Sequence, residues 1–163
     1  MAYEFELFCE DCRSAYNQNT GEADLEVIRQ NLEKLIKENP DFIEKNCGAT
    51  AEYGVNELYT DAQNGFIVYA HNIKTGRTSP PHDHGASWAV YGQAKKYTDM
   101  TEYQRLDDKS KPGHAEIQET KKLLLKWDFH IWLKRRSSTI KNLILRMTTK
   151  MVQTTLKVHY HLG

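Results

Sequence analysis

Between Ala23 and Asn39 the apolar residues Leu25, Ile28, Leu32, Leu35 and Ile36 recur at helical spacing, which predicts an amphipathic helix with one buried face. Pro40 cannot donate into a helical ladder and disfavours helical geometry at Asn39, so the helix is expected to end there. From Leu58 onward the texture changes to short strand-like runs. Asp61 to Gly65 carries Asn-Gly, a hairpin signal, and Phe66–Ile73 follows as a strand. Ser87–Gly92 and Lys96–Leu106 read as further strands, with turns at Lys74–Arg77 and Asp107–Gly113. Later, Leu125, Trp127, Phe129, Ile131 and Leu133 alternate with Lys126, Asp128, His130 and Lys134, which predicts one more strand. Beyond Arg136 the pattern fits strand or helix alike. Short strands separated by turns point to an antiparallel sandwich or barrel.

A chain of 163 residues is expected to form one domain with a real core. No apolar run is long enough to span a membrane, and the acidic start MAYEFELFCEDC lacks the basic opening of a signal peptide. A cytoplasmic location is the expectation. The odd set Cys9, Cys12 and Cys47 suits a reducing compartment better than a disulfide framework. Cys9 and Cys12 form a C-x-x-C pair, but no second pair accompanies them and no βαβ pattern surrounds them. They read as ordinary thiols.

The formal net charge of zero conceals a split. Residues 1–120 hold 12 Lys and Arg against 21 Asp and Glu, whereas residues 121–163 hold 10 against Asp128 alone. A basic arm for nucleic acid or an anionic surface is one reading of such asymmetry. The basic residues do not lie along one helical face, and no nucleic-acid motif accompanies them, so a nucleic-acid partner is not expected.

The densest chemistry lies in TGRTSPPHDHGASWAVYG, Thr75 to Gly92. On a strand, residues i and i+2 share a face, so His82 and His84 would aim two imidazoles into one volume, roughly 6–7 Å apart at the backbone. Two neutral ring nitrogens at that spacing suit one divalent metal. Gly76 precedes His82 by six residues and Gly92 ends the following strand, giving G-x5-H-x-H with a glycine beyond. This resembles the first metal-binding motif of the cupin superfamily, without the glutamate that would fall near Trp88 or Ala89.

Over residues 65–106 the wording GFIVYAHNIKTGRTSPPHDHGASWAVYGQ and TDMTEYQRLD resembles the cysteine-dioxygenase-like cupins, predicted metal-dependent enzymes of the double-stranded β-helix superfamily. The resemblance extends over residues 22–120. It implies a mainly β jelly-roll barrel with N-terminal helices. Residues 1–45 would be the helical part, 55–120 the first half of the barrel and 121–163 a basic tail that does not match. It further implies iron(II) or another divalent metal on three histidines, two of them matching His82 and His84. A small thiol substrate, with or without a carboxylate, would be oxidised by dioxygen. Arg77 and Arg105 are candidates to hold a carboxylate, Tyr91 and Tyr97 to offer hydroxyls, and His71 to support the metal ligands. Oligomers are compatible with this family.

The second cupin motif is missing, because no glycine lies between Gly113 and Gly163 and no proline follows Pro112. His130 is the best-spaced candidate for the third ligand, although its strand face also carries Lys126 and Asp128. His159 and His161 repeat an H-x-H pattern at the extreme terminus. Shifting the codons by one base from Trp127 could produce a glycine at the Trp127–Asp128 junction and a histidine near Ser138–Thr139. The tail is therefore expected to be a frameshifted, aberrant second half, with residues 137–163 packing loosely. Two rivals accompany the enzyme reading: a metal- or small-ligand-binding cupin without catalysis, and a binder of nucleic acid or anionic surfaces through the tail.

Overall fold

The computed structural model describes residues 2–17, 22–74, 78–82, 87–126, 131–134, 143–148 and 153–160. Three helices lead: α1 (Phe5–Ser14), α2 (Leu25–Glu38) and α3 (Pro40–Cys47). Two short strands, β1 (Tyr16–Asn17) and β2 (Glu22–Ala23), pair between α1 and α2. The larger strands are β3 (Gly54–Thr60), β4 (Phe66–Ile73), β5 (Trp88–Lys95), β6 (Tyr97–Arg105), β7 (Ile117–Lys126), β8 (Ile131–Lys134), β9 (Leu143–Thr148) and β10 (Gln153–Tyr160). They form a five-stranded sheet, β3-β4-β10-β5-β8, and a three-stranded sheet, β7-β6-β9, with antiparallel pairing throughout. Among the described residues, no helix is long and apolar enough to cross a membrane.

The amphipathic stripe predicted in α2 is the buried one: Leu25, Ile28, Leu32 and Leu35 all lie in the core. Asp24 caps this helix by accepting hydrogen bonds from the Glu26 and Val27 amides. Asn39 closes α2 and opens α3, where its side-chain oxygen accepts from the Phe42 amide at 3.0 Å. Pro40 thus starts a second helix as well as ending the first, since its missing N–H costs nothing in a first turn. The sequence pattern did not predict α3 or α1.

The helices cover one face of the five-stranded sheet. Phe66, Val68 and Ala70 of β4, Trp88, Val90 and Ala94 of β5, and Val158 of β10 form one apolar cluster with α1, α2 and α3. The register explains why these residues share a face. Val158 lies opposite Val68 on one side and Val90 on the other, and Tyr160 lies opposite Phe66 and Trp88. Gly92 stands on this face beneath α2, where an added Cβ would sit 2.5 Å from Ile36 Cδ1 and 3.1 Å from Leu32 Cγ. The glycine lets the helix approach the strand.

The predicted Asn-Gly turn forms between β3 and β4, with Gly65 at φ 71°. It is clasped to α1. Arg13 donates to Asp61 Oδ1 at 2.8 Å and to the Tyr59 hydroxyl at 2.6 Å, and the Asn64 amide donates to Asp61 Oδ2 at 2.7 Å. Burial raises the Asp61 carboxyl, but the Asn64 amide, Arg13 and Tyr59 together hold it below its ordinary value.

Two expectations for the second half need correction. Leu125 to Leu133 is not one strand, because β7 ends at Lys126 in the small sheet while β8 pairs with β5 in the large one. Nor does all of 137–163 pack loosely. β9 pairs along β6, and β10 is the central strand of the large sheet with Val158 fully buried. The reason is periodicity: Leu156, Val158 and Tyr160 alternate with Thr155, Lys157 and His159, a pattern that can present an apolar row to the helices.

Two outcomes follow from this packing. Gly92→Ala should destabilise the fold by about 1–3 kcal/mol through overpacking against Ile36 and Leu32, read as a lowered denaturant midpoint. Asp61, whose folded-state pKa is depressed, contributes stability above its unfolded value of about 4 that is lost as pH falls through the lower folded value. Wild-type stability should therefore drop more steeply than that of Asp61→Asn when denaturant midpoints are compared between about pH 6 and about pH 3.

Candidate metal and ligand site

Residues opposite one another across an antiparallel ladder share a face, so the register also defines the sheet surface turned away from the helices. One row there runs Glu57, Tyr69, Lys157 and Tyr91 across β3, β4, β10 and β5. The next row brings Val55, His71, Thr155 and Gln93 together. This surface is polar where the helix-facing one is apolar. It is also graded in exposure: Val55 at the β3 edge is 57% exposed, Tyr69 and His71 are half-buried, and Tyr91 is 2% exposed. Such a face is open at the β3 side and covered over β5.

His71 and Tyr69 meet edge to face with ring centroids 6.0 Å apart, and His71 Nε2 is buried. Burial keeps the Tyr91 phenol well above its ordinary pKa, so it is a neutral hydroxyl able to donate. Gln93 is locked. Its Nε2 donates to the Lys95 carbonyl at 2.7 Å, and its Oε1 accepts from the Thr98 hydroxyl at 2.7 Å, which ties the large sheet to β6.

The structure places the predicted histidine motif less simply than a strand would. Pro80 and Pro81 bring no amide donor, so no ladder forms around them, and His82 makes an isolated bridge instead. Its side chain is exposed, which corrects the expectation of an inward-pointing ring on a strand. Nδ1 lies 2.9 Å from the Pro80 carbonyl. In the tautomer with its hydrogen on Nδ1, the ring would donate to that carbonyl and leave the lone pair on Nε2, the form in which imidazole binds a divalent metal. His84, Arg77 and His130 lie outside the described residues. Among the described residues, no group of three His, Cys, Asp or Glu side chains could hold a metal ion.

Other candidates sort themselves by contact. Arg105 donates from Nε to Asp107 at 2.6 Å and from a terminal nitrogen to the His114 carbonyl at 2.6 Å, which makes it a brace of the β6–β7 loop rather than a carboxylate clamp. Tyr97 begins β6 and is half-buried. Cys9 and Cys12 are buried on α1. Burial first, then Glu6, pushes the Cys9 thiol up to about 12, and burial raises Cys12 as well, so neither is a reactive thiolate. Sequence reasoning missed Tyr69 and Gln93. Their even spacing with His71 and Tyr91 was visible, but not that β10 would join the two strands.

No family model matches the chain, and no curated protein matches it. Solved structures do. A hydroquinone 1,2-dioxygenase, PnpCD, determined with Cd2+ and 4-hydroxybenzonitrile, is 10% identical with a TM-score of 0.50 over 71% of this chain and 69% of that one. The fold is a cupin fold. The cupin domain of Schizosaccharomyces pombe Cnp3 is 9% identical, with a TM-score of 0.47 over 66% of this chain. This chain spans 64% of that domain's length. An oxalate oxidase in complex with the substrate analogue glycolate is 15% identical, with a TM-score of 0.44 over 65% of this chain and 49% of that one.

If His82 ligates through Nε2, His82→Ala should weaken binding of Ni2+, a probe for divalent metal, by at least about tenfold in calorimetry. Equal affinity in the two proteins would exclude His82 as a ligand.

Proposed function

We propose that this cupin holds a divalent metal, iron(II), at His82 and His84 and oxidises a small thiol with dioxygen. The observation that carries the reading is the two-sided sheet. Its helix-facing surface is filled by packing, while the opposite surface carries Tyr69, His71, Tyr91 and Gln93 in rows that open toward β3. Polar groups sharing one partly covered sheet face suit a small-molecule site better than a second core. The histidine motif, with Nδ1 of His82 held by Pro80, supports the metal. The motif's likeness to the thiol dioxygenases supports the reaction.

The metal, when bound, would supply the electronic link between thiol and dioxygen, in the overall change RSH + O2 → RSO2H. The chain's own residues would do the rest. Tyr91 would donate its buried hydroxyl to the substrate. His71, braced against Tyr69, would present its ring from the half-buried strand β4. The β5 side of the face would exclude water, because Ala89, Tyr91 and Gln93 are all buried.

A second reading is a cupin that binds metal or a small ligand without catalysis. The reading as a binder of nucleic acid or anionic surfaces loses ground to the topology. Lys157 lies in the central strand of one sheet, while Lys121 and Lys122 lie in the other, so these three do not belong to one arm.

Oxygen uptake by iron-loaded protein with a panel of small thiols separates the first two readings. Thiol-dependent uptake that His82→Ala abolishes is the expected result. Tight metal binding without uptake would leave the non-catalytic cupin.

A further inference from the structure

Asn64 and Gly65 form the one Asn-Gly dipeptide in the sequence. With no Cβ on the glycine, its amide nitrogen reaches the preceding carboxamide carbon with little hindrance, which makes the pair prone to deamidation. The β3–β4 turn holds both reacting groups. The Gly65 amide hydrogen, which must leave before the nitrogen can attack, is donated to the Asp61 carbonyl at 2.9 Å. The Asn64 carboxamide is turned toward α1, where Nδ2 donates to the Arg13 carbonyl at 3.3 Å. The Asn64 amide donates to Asp61 Oδ2 at 2.7 Å, and the Arg13 side chain holds Asp61 Oδ1 at 2.8 Å. The Tyr59 hydroxyl joins the clasp, 2.8 Å from Asp61 Oδ1 and 2.6 Å from an Arg13 terminal nitrogen. Asp61 is buried, Asn64 is half-buried, and Gln63 and Gly65 are exposed, so solvent reaches the dipeptide while the carboxylate that organises it stays inside.

We infer that Asn64 is a self-modification site gated by the docking of α1. When α1 lifts from the turn, the Arg13 side chain leaves Asp61 and the Arg13 carbonyl leaves the Asn64 carboxamide. The Gly65 nitrogen then gives its hydrogen to hydroxide and attacks Cγ of Asn64. The N–Cγ bond forms, the Cγ–Nδ2 bond breaks, and ammonia departs with a proton from water, leaving a succinimide. Water opens that ring to aspartate or isoaspartate. The net change is carboxamide plus water to carboxylate plus ammonium, with no electrons transferred. It runs one way. An aspartate at position 64 has no donor for the Arg13 carbonyl and sets a second carboxylate beside Asp61. Isoaspartate lengthens the main chain by one methylene, so the turn cannot restore both the Gly65–Asp61 and the Asp61–Phe66 backbone bonds. Either product loosens α1 from the hairpin that carries β3, the accessible margin of the large sheet. None of these residues belongs to the candidate metal and ligand site.

The test holds full-length protein at mildly alkaline pH and follows conversion of Asn64 to aspartate and isoaspartate by peptide mass mapping. Wild-type protein unfolded in guanidinium should convert at least about tenfold faster than native protein. Native Arg13→Lys keeps the charge but loses the fork that reaches Asp61 and Tyr59 together, and it should convert at least about threefold faster than native wild type. Amide exchange in α2 should stay at the wild-type rate in that variant, which assigns the opening to the clasp rather than to global unfolding. Should Arg13→Lys fail to fold, Tyr59→Phe, which removes a partner from both Arg13 and Asp61, should give the same rise with α2 unchanged. Equal rates in native and unfolded wild type, no conversion of Asn64 in the unfolded chain, an unchanged rate in whichever variant folds, or a rise matched by faster α2 exchange would overturn the inference.

Discussion

The packing of α2 on the sheet is the constraint from which the rest follows. Leu25, Ile28, Leu32 and Leu35 require an apolar surface, and Phe66, Val68, Trp88, Val90 and Val158 provide it. Because strand side chains alternate, fixing these residues toward the helices fixes their neighbours toward the other sheet. Tyr69, His71, Tyr91 and Gln93 fall there by parity. A one-residue slip of β5 would bury Tyr91 under α2 and lose the close approach at Gly92. Core and candidate site are thus two faces of one decision.

That division also gives the N-terminal helices a part in placing the candidate site without contact to it. They take over the hydrophobic burial that a simple sandwich would place between its sheets, and Arg13 then ties α1 to the β3–β4 turn through Asp61. The sheet face turned away from the helices is where the proposed site lies. Thr98 and Gln93 link it to β6 on the β5 side, while β3 remains its accessible margin with Val55 exposed.

Much of this was legible in the sequence, for identifiable reasons. The stripe in α2, the Asn-Gly turn and the strands at Phe66–Ile73 and Tyr97–Arg105 each carry a local signal of the right period. Helix α1 was hidden because its apolar face is assembled from Phe8, Cys9 and Cys12, two of which were read for their thiols rather than their packing. The order of the last strands was hidden for another reason. β10 joins β4 to β5 across more than fifty residues of chain, and no local pattern encodes that pairing. Its basic, glycine-poor surroundings suggested an aberrant tail, although the alternation from Thr154 to Tyr160 was already that of a half-buried strand. His82 marks the opposite failure: its spacing promised a strand, and the proline pair ahead of it left an isolated bridge.

The claim that most needs a direct measurement is that metal and ligand belong to the sheet face turned away from the helices. Co2+ titration followed by amide resonances tests it, because paramagnetic broadening falls steeply with distance from the ion. Broadening should centre on residues 82–84 and extend to His71 and Tyr91, leaving α1, α2 and α3 sharp. Broadening centred on Cys9, Cys12 and the helices, or none beyond that of a metal-free control, would contradict the account.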